Sequence, residues 1–267
     1  MADSTANNSF WGHLEVLRWV IVRSLIVLVS IAIAVFCFKE WLFDSVVLGP
    51  LHSDFPTYRF FCWVGQIIHL PNFCLDITQV NLININLASQ FFIHMEMAGV
   101  LALVVAFPYI ICELWFFVRP ALHEEERIAA FPATISFVLL FFLGVAVSYF
   151  LIFPLTLNFL GNYQVSLSVP NQISLSSYIS TFLSLTFMLG IVFEMPIVAY
   201  FFARIGVLSS LLMRQYRKIA IVIIMCLAAI ITPSTDAFTM LLVVLPLWML
   251  YELSLVVVAR VERNSNK

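Results

Sequence analysis

Apolar positions along this chain come as long unbroken runs, not as alternation. Six segments stand out, at residues 19–38, 97–118, 128–153, 178–202, 219–231 and 237–259. Runs of about 20 apolar residues are long enough to cross a bilayer as helices. Main-chain polar groups in lipid must be satisfied within the segment, which selects the α-helix. A membrane β-barrel needs alternating segments of about ten residues. The pattern therefore predicts an all-α, polytopic membrane protein. It is a single six-helix domain over 1–267, with no internal repeat and no appended soluble domain. The first run has no Lys or Arg before Arg18 and no small-residue cleavage site, so it reads as a retained span and not a removable signal.

The fifth run is short. Thirteen residues separate Lys218 from Thr232. At about 1.5 Å per residue they reach roughly 20 Å, against a hydrocarbon core of about 30 Å. Such a helix thins the bilayer, snorkels its flanks or shelters behind other helices. Alternatively, it extends through Arg214–Arg217 into water.

Composition reinforces the membrane reading: 63% of residues are apolar, 10% are charged, and mean hydropathy is +1.04. A net charge of −2 without a dense basic cluster gives no sign of nucleic-acid binding. Placing the N-terminus inside puts eleven of the thirteen Lys and Arg on the inner face and leaves Lys39 and Arg59 outside. Both termini are thus expected in the cytoplasm. A long first outer loop, 39–90, carries Pro50, Pro56 and Pro71. The second, 154–177, has no charge and reads as a packed polar cap.

Candidate chemistry is sparse. No two of the five histidines share a metal-ligand spacing, and no cysteine completes a zinc set. Neither a G-x-S-x-G elbow nor an intramembrane aspartate pair occurs. Neither an enzyme nor a metal or cofactor is expected. Glu194 is the ionisable group nearest the middle of a span, two residues before Pro196, which should loosen the helix. It either faces a polar cavity, pairs with a partner, is protonated, or bonds a freed main-chain carbonyl. Glu96 and Glu113 lie nearer span ends, where snorkelling or pairing (Glu113 with Arg119) accounts for them. In "SFWGHLEVLRW", Phe10, Trp11, Leu14 and Leu17 share a face, as in an interfacial helix, and Glu15 and Arg18 are spaced to pair. Glu124, Glu125 and Glu126 point about 100° apart on a helix and cannot all address one ligand.

Several separated motifs, in order, resemble the TatC family of twin-arginine translocase subunits. "HLEVLR" is similar to its N-terminal signature and "FPYIICELWFFVRPALHEEER" to its first inner loop. "FLGVAVSYFLIFPLTLNFL" is similar to its third span, "FEMPIV" to its F-E-x-P, and "ITPSTDAFTMLLVVLPLWMLYE" to its final stretch. The resemblance runs from His13 to about Arg260. It implies a receptor for twin-arginine signal peptides of folded cargo at the cytoplasmic face of the bacterial inner membrane. That receptor works with single-span TatA- and TatB-type partners, self-associates in a larger complex, and is driven by the proton-motive force. The implied fold is six helices in a curved, cup-like wall, the last two short. The implied signal-peptide residues are Glu126, Arg127, Phe117, Pro120, Leu122, Arg18 and Glu15. Glu194 is implied as the groove glutamate that meets a partner, and Pro50 and Pro108 as structural prolines beside Pro196. The signature's glutamate position is Val16 here, so the second arginine ligand is Glu15, Glu124 or Glu125. Glu96 stands where the family commonly has a basic residue.

The rival classes are a small-solute transporter and a non-selective scaffold. A transporter needs midplane polar sites on several helices, usually in repeated halves. A scaffold would gather single-span partners without preferring paired arginines.

Five cysteines are too few for a disulfide framework. Cys37, Cys112 and Cys226 fall in or near spans and read as apolar packing residues. Cys62 and Cys74 share the first outer loop, in an oxidising compartment, and are predicted to be bonded. Alkylation without reductant should leave both unlabelled and label them after reduction; labelling both without reductant would exclude the bond.

Overall fold

The structure is a computed structural model and describes residues 3–69, 82–119, 124–164, 166, 171–232 and 236–265. Its helices are α1 (Asp3–Cys37), α2 (Lys39–Leu42), α3 (Pro56–Ile68), α4 (Ser89–Val118), α5 (Glu124–Val147), α6 (Phe153–Asn162), α7 (Leu175–Val192), α8 (Met195–Arg204), α9 (Ser210–Gln215), α10 (Arg217–Ile231) and α11 (Ala237–Ser265). Among the described residues, five stretches are long and apolar enough to cross a membrane: Leu14–Cys37, Ser89–Val118, Thr134–Asn162, Leu175–Arg204 and Ala237–Arg263. Helix α10, at 15 residues, holds the remaining apolar run, the fifth in chain order.

The chain divides into two compact units. The first joins 1–39 to 94–139. In it α1 is continuous from Asp3, so the amphipathic N-terminal stretch prolongs the first span and is not a separate interfacial helix. Phe36 stacks on His94, with centroids 3.9 Å apart and planes 16° apart. Helix α4 passes through Pro108 unbroken. Glu113 accepts from the Tyr109 hydroxyl at 2.8 Å, one turn back, and not from Arg119 as the sequence suggested. The two lie within one turn and meet before the longer arginine can.

The second unit joins 40–93 to 140–267. Its third membrane helix runs past the predicted end at 153. Pro154 does not stop it, because a π-turn at Ser148–Ile152 lets the Phe153 N–H reach the Ser148 carbonyl before the helix resumes as α6. Pro154 has no N–H to return to the Phe150 carbonyl four residues earlier. The Thr57 hydroxyl, from the first turn of α3, donates to that carbonyl instead. Tyr58 donates to the Pro50 carbonyl at 2.9 Å, and burial pushes its phenol above the usual tyrosine range, keeping it a donor. Tyr149 and Tyr178 donate to Val46 and Val47 carbonyls at 2.8 and 2.6 Å. The first outer loop is thereby sewn onto the spans by side chains.

The uncharged second loop packs as a cap. The Asn171 amide donates to the carbonyls of Leu160, Gly161 and Tyr163. A two-residue parallel strand pair joins it to the first loop, Leu82 opposite Ile173 and Ile83 opposite Ser174, an element the hydropathy pattern does not show.

Helix α7 ends at Val192 and α8 starts at Met195. Pro196 cannot donate to Val192, so the chain tightens through Phe193 and Glu194, and the Glu194 N–H bonds Ile191, three residues back, at 3.0 Å. Here α5 and α7 approach closely. A Cβ on Gly144 would lie 2.7 Å from the Leu189 carbonyl and 2.8 Å from Phe193; one on Gly190 would lie 2.7 Å from Phe141. Small residues are what allow membrane helices such contact.

The last helices differ from the sequence reading. Helix α10 does not extend through Arg214: α9 is separate, and Tyr216 breaks the path. Nor is the sixth helix short. Helix α11 has 29 residues because its charged end, from Arg260, continues the helix past the apolar run. At about 1.5 Å per residue α10 spans roughly 22 Å. It packs on α11, and its first residue, Arg217, pairs with Glu252 fifteen residues into α11. The short helix thus matches only the first half of its neighbour. Segment α9 covers the next part, with Tyr251 donating to the Met213 carbonyl at 2.6 Å.

Gly144→Ala should cost about 1–3 kcal/mol, because the added methyl meets main chain. Gly99→Ala, with nothing within 4 Å, should be neutral or gain about 0.5–1 kcal/mol. Thermal unfolding of both variants in detergent checks the contrast.

Candidate functional site

The residues proposed for the signal peptide all belong to the first unit. Phe117 is half-buried in the last turn of α4. Helix α5 begins at Glu124, so Glu124, Glu125, Glu126 and Arg127 form its first turn. Pro120, Leu122 and the side chains of 124–133 lie outside the described residues. The first N–H groups of a helix have no partner within it, and its dipole is positive at that end. Carboxylates are therefore favoured in this turn. On α1, Glu15, Val16 and Arg18 are all exposed, and no Glu15–Arg18 ion pair forms.

Glu194 belongs to the second unit, at the α7–α8 break, with its residue only 7% exposed. Neither carboxyl oxygen has a hydrogen-bond partner, so the carboxyl does not bond a carbonyl freed by Pro196. Thr186, Gly190 and Glu194 recur every fourth residue and share a face. Opposite runs the Phe141–Gly144–Val145 row, which Ser148 continues. The hydroxyls of Ser148 and Thr186 are likewise buried without partners. Three unpartnered polar side chains thus lie along a tightly packed seam. A buried polar group without a partner costs about 1–3 kcal/mol, and an ionisable one within a span is a candidate functional site.

Several polar contacts have no counterpart in the sequence reading. Arg217 Nε donates to Glu252 at 2.9 Å, and its guanidinium lies 5.7 Å from the Trp248 ring centre. The Ser210 N–H donates to Glu262 at 2.9 Å, and its hydroxyl to the other carboxyl oxygen. Both link residues far apart in sequence, where no periodicity reports them. Asp236 was legible: an Asp just before an apolar run is an N-cap signal. It accepts from the Thr239 N–H at 2.7 Å. Cys62 is disulfide-bonded, while Cys37, Cys112 and Cys226 are free; Cys74 lies outside the described residues. Pro50 is buried in a 3₁₀ turn, Gly49–Leu51.

Among the described residues, no group of three or more His, Cys, Asp and Glu is placed to hold a metal.

Comparison with known proteins gives a consistent result. Residues 12–246 match the family model described as TatC, Sec-independent protein translocase protein. The chain is 34% identical over 248 residues to the Sec-independent protein translocase protein TatC of Blattabacterium sp. subsp. Periplaneta americana, covering 92% of this chain and 93% of that one. It is 31% identical over 244 residues to the corresponding protein of Aquifex aeolicus, covering 91% of each. A crystal structure of the twin arginine translocase receptor TatC superposes with a TM-score of 0.72 at 30% identity, covering 92% of this chain and 97% of that one.

Glu194→Leu should leave stability unchanged or raise it by about 1–3 kcal/mol, since it removes a buried carboxyl that has no partner. A fall in melting temperature in detergent would instead assign Glu194 a structural role.

Proposed function

Given that the chain belongs to the TatC family of Sec-independent protein translocase proteins, we propose that it is the receptor that admits twin-arginine signal peptides of folded cargo. The observation that carries this reading is the start of α5 at Glu124, which puts three consecutive carboxylates in one helical first turn. By the Lys and Arg distribution, this turn and both termini face the cytoplasm. Guanidinium is always charged and forms bidentate pairs with carboxylate, so paired arginines suit a pair of carboxylates. Glu126 takes one arginine; Glu15, Glu124 or Glu125 takes the other. Phe117, with Pro120 and Leu122, offers apolar contact beside them, and Arg127 and Arg18 set the local charge.

Glu194 meets a single-span partner of the TatA or TatB type. A partner that brings a donor into the membrane relieves the unpartnered carboxyl, so the cost of burial becomes affinity. Transport is driven by the proton-motive force, with several copies of the chain in a larger complex.

Glu126→Ala should weaken binding of a twin-arginine peptide by about 1.5–3 kcal/mol, or roughly ten- to a hundredfold. Glu124→Ala should weaken it less. Titration of a labelled peptide against the purified chain in nanodiscs checks this; equal affinities for the two variants remove the special role of Glu126.

A further inference from the structure

Helix α3, in the first outer loop, presents its faces in an unusual order. Thr57, Tyr58 and Gly65, with Phe55 just before the helix, are buried within the second unit. The outward face carries Phe60, Trp63 and Ile67, which are 58%, 59% and 59% exposed. At about 100° per residue these three fall within one narrow stripe, and Arg59 and Gln66 flank it along one edge. A helix on a soluble surface turns such a stripe inward. Here the stripe faces away from the protein.

The position of α3 along the third membrane helix is set by its anchor. Thr57 bonds the carbonyl of Phe150, which lies twelve residues before the end of the Thr134–Asn162 membrane helix, about 18 Å along its axis. The first turn of α3 therefore lies beside the body of a membrane-crossing helix, not beyond its end. Phe55 reinforces this contact, with its ring 5.5 Å from Tyr149 and 5.8 Å from Phe150. A shallow niche of about 420 Å³ opens between Pro56, Arg59, Phe60 and Trp63. The Arg59 guanidinium makes no ion pair with any described residue.

We propose that α3 is an interfacial helix of the outer leaflet, with Phe60, Trp63 and Ile67 among lipid chains and the Arg59 guanidinium on a lipid phosphate in that niche. An apolar stripe set beside a membrane span is covered by lipid unless a protein covers it. Aromatic residues flanked by a cation are what the boundary between chains and headgroups selects. Interfacial seating holds the first outer loop flat on the bilayer. It also limits how far the span bonded to α3 through Thr57 can tilt. The role is independent of signal-peptide binding.

The test uses the full chain in vesicles of phosphatidylethanolamine and phosphatidylglycerol, with photoreactive benzoylphenylalanine placed singly at 60, 63, 67 and, as a water-facing control, at the exposed Asp54. Illumination should give phospholipid adducts by mass spectrometry at 63 and 67, and none at 54. A second set with Arg59→Gln should lose most of the phosphatidylglycerol share of those adducts. Adducts to a second protein chain at 63 and 67 would make the stripe a protein interface. No adduct at any of the three positions would place it in water. Either result overturns the proposal.

Discussion

A carbonyl left without a donor inside a bilayer has no water to turn to, and each proline within a span imposes that problem on this chain. Pro154 orphans Phe150, and Thr57 reaches in from the outer loop to bond it. Pro196 frees Val192, and the chain responds by ending α7, tightening through Phe193 and Glu194, and starting α8. The first solution ties an extramembrane helix to a span. The second opens the backbone beside the buried carboxyl. Removal of single N–H donors thus sets both the seat of the outer loop and the position of Glu194. The hydroxyl of Thr232 gives the Ala228 carbonyl a second donor at 2.9 Å, beside the Thr232 N–H, and closes the end of α10.

A second constraint is distance. The Gly144 and Gly190 contacts bring α5 and α7 nearer than any side chain permits, and the row they define continues into Glu194. On the other side, α11 gathers α8, α9 and α10. Arg217 and Glu252 fix where α10 begins, and the Trp248 face completes the arginine's surroundings. The fifth helix is short because its neighbour is shared: half of α11 is covered by α10, and the rest by α9 and α8.

Much of this was legible in the chain. Long apolar runs gave the helices, and the thirteen-residue run between Lys218 and Thr232 gave the short fifth helix. Glu194 beside Pro196 marked the interrupted fourth span. Helix limits were less legible, because hydropathy reports lipid contact and not hydrogen bonding. It stopped the third span at Phe153, although a π-turn carries the helix to Asn162. It stopped the sixth at Ala259, although charged residues extend it to Ser265. The pairing of Arg217 with Glu252 and of Ser210 with Glu262 depends on which helices become neighbours, and no spacing encodes that. The outward stripe of α3 was visible as periodicity in Phe60, Trp63 and Ile67, but its direction was set by Thr57 and Tyr58 finding distant carbonyls.

The two candidate sites use carboxylates in opposite ways. In the first turn of α5, free N–H groups and the helix dipole keep negative charge favourable, and a cationic guest can exchange with solvent there at little cost. Such a site suits a signal that must bind and leave. Glu194 differs: it is buried, with no hydrogen-bond partner for either oxygen, and packed between helices. Its cost is met only when another group arrives at the same depth, and that group must itself come through the membrane. A soluble peptide segment has no reason to reach it; a second membrane helix does. On the reading proposed above, position in the fold, more than residue type, divides recognition of cargo at the start of α5 from assembly with partners at Glu194.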